Sequence, residues 1–261
     1  MLLAIDVGNT NIVLGAIKNG TTVFISRINT DTNKTEDEYA VQLKILIELN
    51  GLSSEQFEGG IISSVVPQLN KILTKAVKKV ISHTPLIVGP GVRNGLNIKI
   101  DNPAQLGSDL VVGAVAAIAL YPKPLMVIDM GTATTICVVD KDSCYRGGII
   151  IPGVRVSMES LTSRAAQLQS ISMEAPDRTI GTNTADCLRS GVIFGNAALI
   201  DGMIDRMSEE IEGTPAIIAT GGLAPTIIPH CRHDIIINEE LLLIGLQIIY
   251  NKNKKNSSDD N

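Results

Sequence analysis

The chain has 261 residues and a formal net charge of −5, with 44% hydrophobic and 19% charged residues, enough to bury one large core or two ordinary ones. Three Phe, four Tyr and no Trp argue against an aromatic platform for sugars or stacked bases, and no basic stripe supports nucleic-acid binding. The cysteines form no Cys-x-x-Cys pair, the opening apolar run is short and lacks a basic lead, and no apolar run approaches about 18 residues, so the expectation is a cytoplasmic protein without structural zinc, disulfide framework or membrane span.

From the N-terminus, the apolar run Leu2–Ile5 leads into Asp6-Val7-Gly8-Asn9-Thr10-Asn11 and a second run from Ile12 and Val13 to Ile17. Asn19-Gly20 then signals a turn, and a third strand is expected at Thr22–Ile25. Thr35-Glu36-Asp37-Glu38 has the form of a capping box and opens a helix through Asn50, with Tyr39, Leu43, Leu46 and Ile47 on one face and Gly51 suited to ending it. A buried strand is expected at Gly60–Val66, a helix at Pro67–Ile81 with basic residues in its last turn, and a short strand at Pro85–Val88. Asn102-Pro103 signals another helix start, with its apolar body at Leu110–Leu120.

The pattern then repeats. Leu125–Ile128 leads into Asp129-Met130-Gly131-Thr132-Ala133, a second apolar run, a turn at Asp140–Asp142 and a strand at Gly147–Ile151. A helix at Arg155–Leu168, a long or broken helix at Thr184–Ser208, a strand at Pro215–Ala219 and a helix at Asn238–Tyr250 follow, then a polar tail, 251–261, expected to be disordered. Strands alternating with helices imply α/β architecture, and two similar halves imply a ligand cleft between them. The expected domains are 1–116 and 117–250.

Certain residues suit phosphate chemistry. Gly8 lets backbone N–H groups approach phosphate oxygens, and Asn9, Thr10 and Asn11 add donors. Asp6 suits a magnesium ion bridging phosphates, or serves as an ordinary turn residue. Asp129 reads as a cation ligand or a turn residue, and Thr132 as a phosphate donor. Thr220-Gly221-Gly222 lets backbone approach a base or ribose, or makes a simple turn. Asp109, near a helix start, is expected to be held ionised by the helix dipole, as a modest base or only as dipole complement. No Walker loop, protein-kinase loop set or hydrolase elbow is present, and His83, His230 and His233 lack nearby partners in sequence.

In their order and spacing these segments resemble the type III pantothenate kinases of the acetate and sugar kinase/Hsp70/actin superfamily, over nearly the whole chain to about residue 250. Gly147–Gly153 and Ile180–Thr184 are similar to further family segments. The resemblance implies an actin-like ATPase fold, with two ribonuclease-H-like domains and an interdomain ATP cleft. It implies transfer of the ATP γ-phosphoryl group to the hydroxyl of pantothenate, the first step of coenzyme A synthesis, with Asp109 as proton acceptor. ATP would meet Asp6–Val13, Thr132, Gly221 and Gly222. Pantothenate would meet Gly107, Ser108, Asp109, Leu110 and Thr184. Asp129 would hold a monovalent cation, K⁺ or NH₄⁺, and Mg²⁺ would lie at Asp6. A homodimer is also implied. The other readings are a transcriptional accessory protein of the same fold and a kinase for a different small alcohol.

Two positions depart from the family. Leu110 stands where Arg often follows the catalytic Asp, and Ile100 where Tyr is common. A leucine cannot pair with the substrate carboxylate, which leaves that role to another cation, such as Arg155 or Arg164, or to a weaker contact.

Overall fold

The computed structural model describes residues 1–165 and 171–254, and counts and absences refer to those residues. The chain divides into two compact units. The first comprises Met1–Leu96, Asp101–Ala119 and the chain from Glu240 onward, and the second comprises Asn97–Ile100 and Leu120–Glu239.

The first unit opens with strands β1 (Leu2–Val7), β2 (Asn11–Lys18) and β3 (Thr21–Asn29), paired antiparallel in sequence. Helix α1 (Glu36–Leu49) carries the chain to β4 (Gly59–Ser64), and α2 (Pro67–Ile81) to β5 (Leu86–Ile87). Both start signals in the sequence hold. Glu38 N donates to Thr35 Oγ1 and Thr35 N donates to Glu38 Oε2, and Pro67 opens α2. Gly51 adopts φ +72, as a left-handed helix end requires. Tyr39, Leu43 and Ile47 form the buried stripe of α1, packed with Leu69, Leu73 and Val77 of α2 in the core of this unit. The sheet order is β3-β2-β1-β4-β5, and β4 runs parallel to β1 with Ser63 opposite Asp6.

After β6 (Asn97–Ile98) the sequence signal at Asn102-Pro103 produces only one 3₁₀ turn, Pro103–Gln105. Asn102 accepts a hydrogen bond from Ala104 N at 3.2 Å, but Leu106 then turns extended, so the helix restarts as α3 (Ser108–Leu120).

The second unit contains β7 (Leu125–Met130), β8 (Ala133–Val139), β9 (Cys144–Pro152), α4 (Val154–Arg164) and α5 (Thr184–Ser208). It continues through β10 (Ala216–Thr220), α6 (Ala224–Ile227) and β11 (Ile236–Ile237). Its sheet order is β11-β10-β7-β8-β9-β6. Read from β9 to β11, this repeats the order of the first sheet, with β6 added at one edge. The registers repeat as well: Asp6 pairs with Val13 and Asp129 with Thr135. The register shift between β2 and β3, at Ala16/Ile17, recurs between β8 and β9 at Val138/Val139, the same distance beyond those pairs. The duplication expected from sequence is therefore present strand by strand.

Helix α5 is long and apolar enough to cross a membrane by composition, but Val192, Ile193, Ala197, Ile200 and Ile204 lie in the core of the second unit. That makes it a core helix. The expected helix end at Leu168 lies outside the described residues.

The closing helix, α7 (Leu241–Lys254), belongs to the first unit, where it lies on β1, β2 and β4. A split at 116/117 would assign it to the second. Its close approach depends on absent side chains: a Cβ on Gly15 would sit 2.7 Å from Leu243 Cδ1, and one on Gly245 2.1 Å from Val112 O of α3. Residues 251–254, expected in the disordered tail, are helical because Asn253 Oδ1 accepts from Arg93 N at 3.1 Å and its Nδ2 donates to Arg93 O at 2.9 Å. Lys252 Nζ also donates to Asn94 O at 2.9 Å.

Glycine to alanine within a helix ordinarily stabilises by about 0.4–1 kcal/mol. Gly195→Ala, where nothing lies within 4 Å of the new Cβ, should do so. Gly245→Ala should instead destabilise by about 1–3 kcal/mol through overpacking against α3. Denaturant titration of the two variants, compared with the parent chain, measures both signs.

Candidate active site

In the first unit the β1–β2 loop is held from two sides. Gly8 N donates to Asn11 O at 3.0 Å and closes the turn, while Thr30, just past β3, donates Oγ1 to Gly8 O at 2.7 Å and N to Thr10 O at 2.9 Å. Asn9 and Thr10 are exposed at its tip, and Asp6, Gly8, Asn11 and Val13 are half-buried. The side chains of Val7 and Ile12 point into the core, at 1% and 0% exposure, so backbone is all these two offer a ligand.

Asp109 is placed by its neighbour. Ser108 Oγ accepts from Ser64 N at 3.0 Å, donates to Ser64 O at 3.0 Å, and lies 3.0 Å from Ser63 Oγ. One hydroxyl carries one proton, so with that proton on Ser64 O it is Ser63 that donates to Ser108. These bonds fasten the first residue of α3 to the carboxyl end of β4, where Ser63 stands opposite Asp6. Carboxyl ends of parallel strands are where open α/β sheets take ligands. Sequence reasoning missed Ser63, Ser64 and Thr30; the only signal was a pair of serines ending a buried strand.

Asp109 Oδ1 accepts from Leu110 N at 2.8 Å. Burial nevertheless pushes the carboxyl above the usual carboxylate range, outweighing that bond and the one from its own N–H. Desolvation thus works against the stabilisation of the charged form expected from the helix start. Gly107 leaves the room this geometry needs, because a Cβ there would lie 2.4 Å from Asp109 Oδ1.

In the second unit Gly131 N donates to Ala133 O at 3.0 Å, and Gly153 N donates to Thr132 O at 3.1 Å. A Cβ on Gly153 would fall 2.3 Å from that oxygen, so α4 begins flush against the loop bearing Thr132. Asp129 stands between Thr135 of β8 and Thr220 of β10. Gly221, at φ +94, closes over it: a Cβ there would be 2.7 Å from Asp129 Oδ1. Gly222 is exposed beside it. Residues paired across strands share a face, so the half-buried Thr135 accompanies Asp129, and its Oγ1 has no hydrogen-bond partner among the described residues. Among the described residues no three His, Cys, Asp or Glu side chains cluster to cage a metal.

Thr184 is the exposed first residue of α5. Asn183 caps this helix, accepting from Asp186 N at 2.9 Å and donating Nδ2 to Asp186 Oδ2 at 2.7 Å. Leu110 is half-buried beside Asp109, Ile100 lies near Gly147, and Arg155 and Arg164 are exposed. His233 Nε2 lies 2.8 Å from Asp205 Oδ1, a single surface contact and not a triad. The four cysteines are free, and burial pushes the Cys137 and Cys231 thiols up to about 12, which leaves them unreactive.

The sequence and the fold both have known relatives. The family model for type III pantothenate kinase matches residues 2–206. The type III pantothenate kinase of Halalkalibacterium halodurans is 46% identical over 253 residues, 97% of this chain and 100% of the relative. Among solved structures, a Campylobacter jejuni protein described as a Baf family transcriptional activator superposes with a TM-score of 0.60 at 20% identity, covering 97% of this chain and 99% of that one. A Clostridium difficile activator of 2-hydroxyisocaproyl-CoA dehydratase, with bound ADPNP, gives 0.57 at 13% identity, covering 100% and 97%. At these identities the two structures show the fold alone, the actin-like ATPase and sugar kinase fold. The chain belongs to the type III pantothenate kinase family, the kinases that phosphorylate pantothenate in coenzyme A biosynthesis.

Proposed function

We propose that Asp109 accepts the proton from the pantothenate hydroxyl as it attacks the γ-phosphorus of ATP. The observation that carries this is the Ser63–Ser64–Ser108 clamp, which fixes the Asp109 helix start to the strand end beside Asp6. Phosphoryl transfer has a loose transition state, so a positioned carboxylate of modest basicity suffices. The raised pKa brings Asp109 nearer the working pH without making it a strong base.

In this reading Gly8, Asn9, Thr10 and Asn11 present backbone and side-chain donors to phosphate oxygens. Val7, Ile12 and Val13 hold the loop, Thr132 adds a hydroxyl, and Gly221 and Gly222 admit the adenosine. A kinase uses ATP with a divalent metal. Asp6 suits Mg²⁺, which takes one or two carboxylates and otherwise substrate phosphates and water. Bound there, it would offset phosphate charge. Asp129 with the Thr135 hydroxyl makes an all-oxygen set that suits K⁺ or NH₄⁺. Gly107, Ser108, Leu110 and Thr184 are assigned to pantothenate. We read the protein as a cytoplasmic homodimer with no nucleic-acid or membrane partner. Leu110 keeps open a different small alcohol as acceptor. A transcriptional accessory role draws on no basic surface in this sequence.

Asp109→Asn should lower kcat by about 10²- to 10⁴-fold. Below its raised pKa Asp109 keeps its proton and cannot accept another. In the parent enzyme kcat/KM should therefore climb with pH through a value above the ordinary carboxylate range, and in the variant this limb should vanish. The same shift makes ionised Asp109 a liability to the fold: stability falls as pH rises from the unfolded carboxyl value through the folded one. The asparagine variant should thus be at least as heat-stable at neutral pH. Pantothenate-independent ATP turnover unaffected by the substitution would refute the assignment.

Gly107→Ala should push the Asp109 carboxylate off Leu110 N. Steady-state assays should show kcat falling about 10- to 100-fold, in line with misplacement of a catalytic group, while the thermal midpoint moves little.

A further inference from the structure

Pantothenate carries a carboxylate, and Leu110 cannot meet it. We infer that Arg189 of α5 is the residue that recognises this carboxylate, an inference that rests on the assignment of Thr184 to the pantothenate site. Arg189 is the one lysine or arginine among the described residues of the second unit that is not exposed. Its side chain keeps 33% of its accessible surface, so the guanidinium is neither buried in the core nor free in water. Its position is five residues beyond Thr184, in the first two turns of the helix.

The hydrogen bonding of Arg189 is incomplete in a particular way. Nη1 donates to Asp186 Oδ1 at 3.3 Å, a long single contact. Asp186 is itself engaged by the cap, through Oδ2 to Asn183 Nδ2 at 2.7 Å. Nε is shielded from water and has no acceptor among the described residues. Nε and Nη2 form the side-on edge of the guanidinium, the pair of parallel donors that fits a carboxylate. Asp186 therefore steadies one end of the group and leaves the forked edge unused. A shielded, unsatisfied N–H is unfavourable, and a small rotation that turns the edge onto an incoming carboxylate would relieve it.

Arg155 and Arg164 are weaker candidates because both are exposed, where water competes for the charge. Three bonds also hold the start of α5 in place: the two between Asn183 and Asp186, and Ser190 Oγ donating to Thr179 O. Gly181 packs so closely on this turn that a Cβ would lie 2.5 Å from Cys187 N. A rigid helix start carrying one shielded, half-satisfied arginine suits reading a small anion on a substrate.

The test compares pantothenate with pantothenol, in which a hydroxyl replaces the carboxylate, in kinetics and in calorimetric titration. Arg189→Gln should raise the KM and Kd for pantothenate about 10- to 100-fold, as expected for losing a charge-assisted fork. The kcat, the KM for ATP and the Kd for pantothenol should stay within about twofold. Arg189→Lys keeps the charge without the fork and should recover part of the loss. The inference fails if Arg189→Gln leaves pantothenate binding unchanged, weakens both ligands alike, or acts on ATP instead. Should the glutamine variant not fold, a lysine variant with parental pantothenate KM also overturns it. Thr184→Val separates the two readings. If it weakens pantothenate while Arg189→Gln does not, only the arginine inference falls; if neither weakens it, the assignment of α5 to the substrate falls as well.

Discussion

One hydroxyl group holds the first unit's chemistry together. Ser108 Oγ occupies both the N–H and the C=O of Ser64 and takes the proton of Ser63, so three bonds converge on the residue before Asp109. Each such bond is worth about 0.5–1.5 kcal/mol net, but their value is geometric. The strand β4 is already locked to β1 by parallel pairing. With the clamp made, the carboxylate and the β1–β2 loop become parts of one sheet edge. A loose phosphoryl-transfer transition state asks mainly for positioning, and this is positioning by the cheapest available means.

The duplicated sheet shows how one scaffold yields two different sites. Order, register and register shift repeat, so the carboxylates of Asp6 and Asp129 occupy matching strand ends. The surroundings differ. Asp6 faces a neighbour strand ending in serines, both of which help bind α3. Asp129 faces Thr220 and lies under Gly221, whose left-handed backbone brings the chain to within a Cβ of the carboxylate. The first loop also has one residue more between its paired ends, and it exposes Asn9 and Thr10. A longer, polar, strapped loop suits contact with anions. A tighter one, braced by Gly153, suits a fixed hydroxyl and a cation.

Much of the fold was legible in the sequence because its signals are local. The Thr35–Glu38 box, Pro67, Gly51 and the hydrophobic periodicity of α1 and α2 each act within a few residues, and these two helices formed close to their expected limits. The errors arose where distant contacts decided the outcome. Asn102-Pro103 is a sound helix start that the extended Leu106 cancels after one turn. Asn251–Lys254 has tail-like composition, yet Asn253 and Lys252 find backbone partners some 160 residues earlier. No local rule anticipates those bonds. In the candidate site the loops were legible through glycines and small polar residues, whereas the serine clamp was not, since it joins residues 45 positions apart.

At Asp109 a local rule and burial pull in opposite directions. A carboxylate in the first turn of a helix gains a favourable dipole interaction of about 0.3–1 kcal/mol when exposed, and somewhat more when partly buried. Removing a carboxylate from water is worth more, several kcal/mol for deep burial before compensation. Leu110 N recovers part of this, and the balance leaves the pKa raised. The substitution of leucine for the arginine common after this residue in the family works in the same direction. A neighbouring guanidinium would favour the charged carboxylate and make it a weaker base, and leucine brings no such charge. The leucine at 110 thus bears on the proposed reaction in two separable ways: it offers no charge to a substrate carboxylate, and it places none beside Asp109.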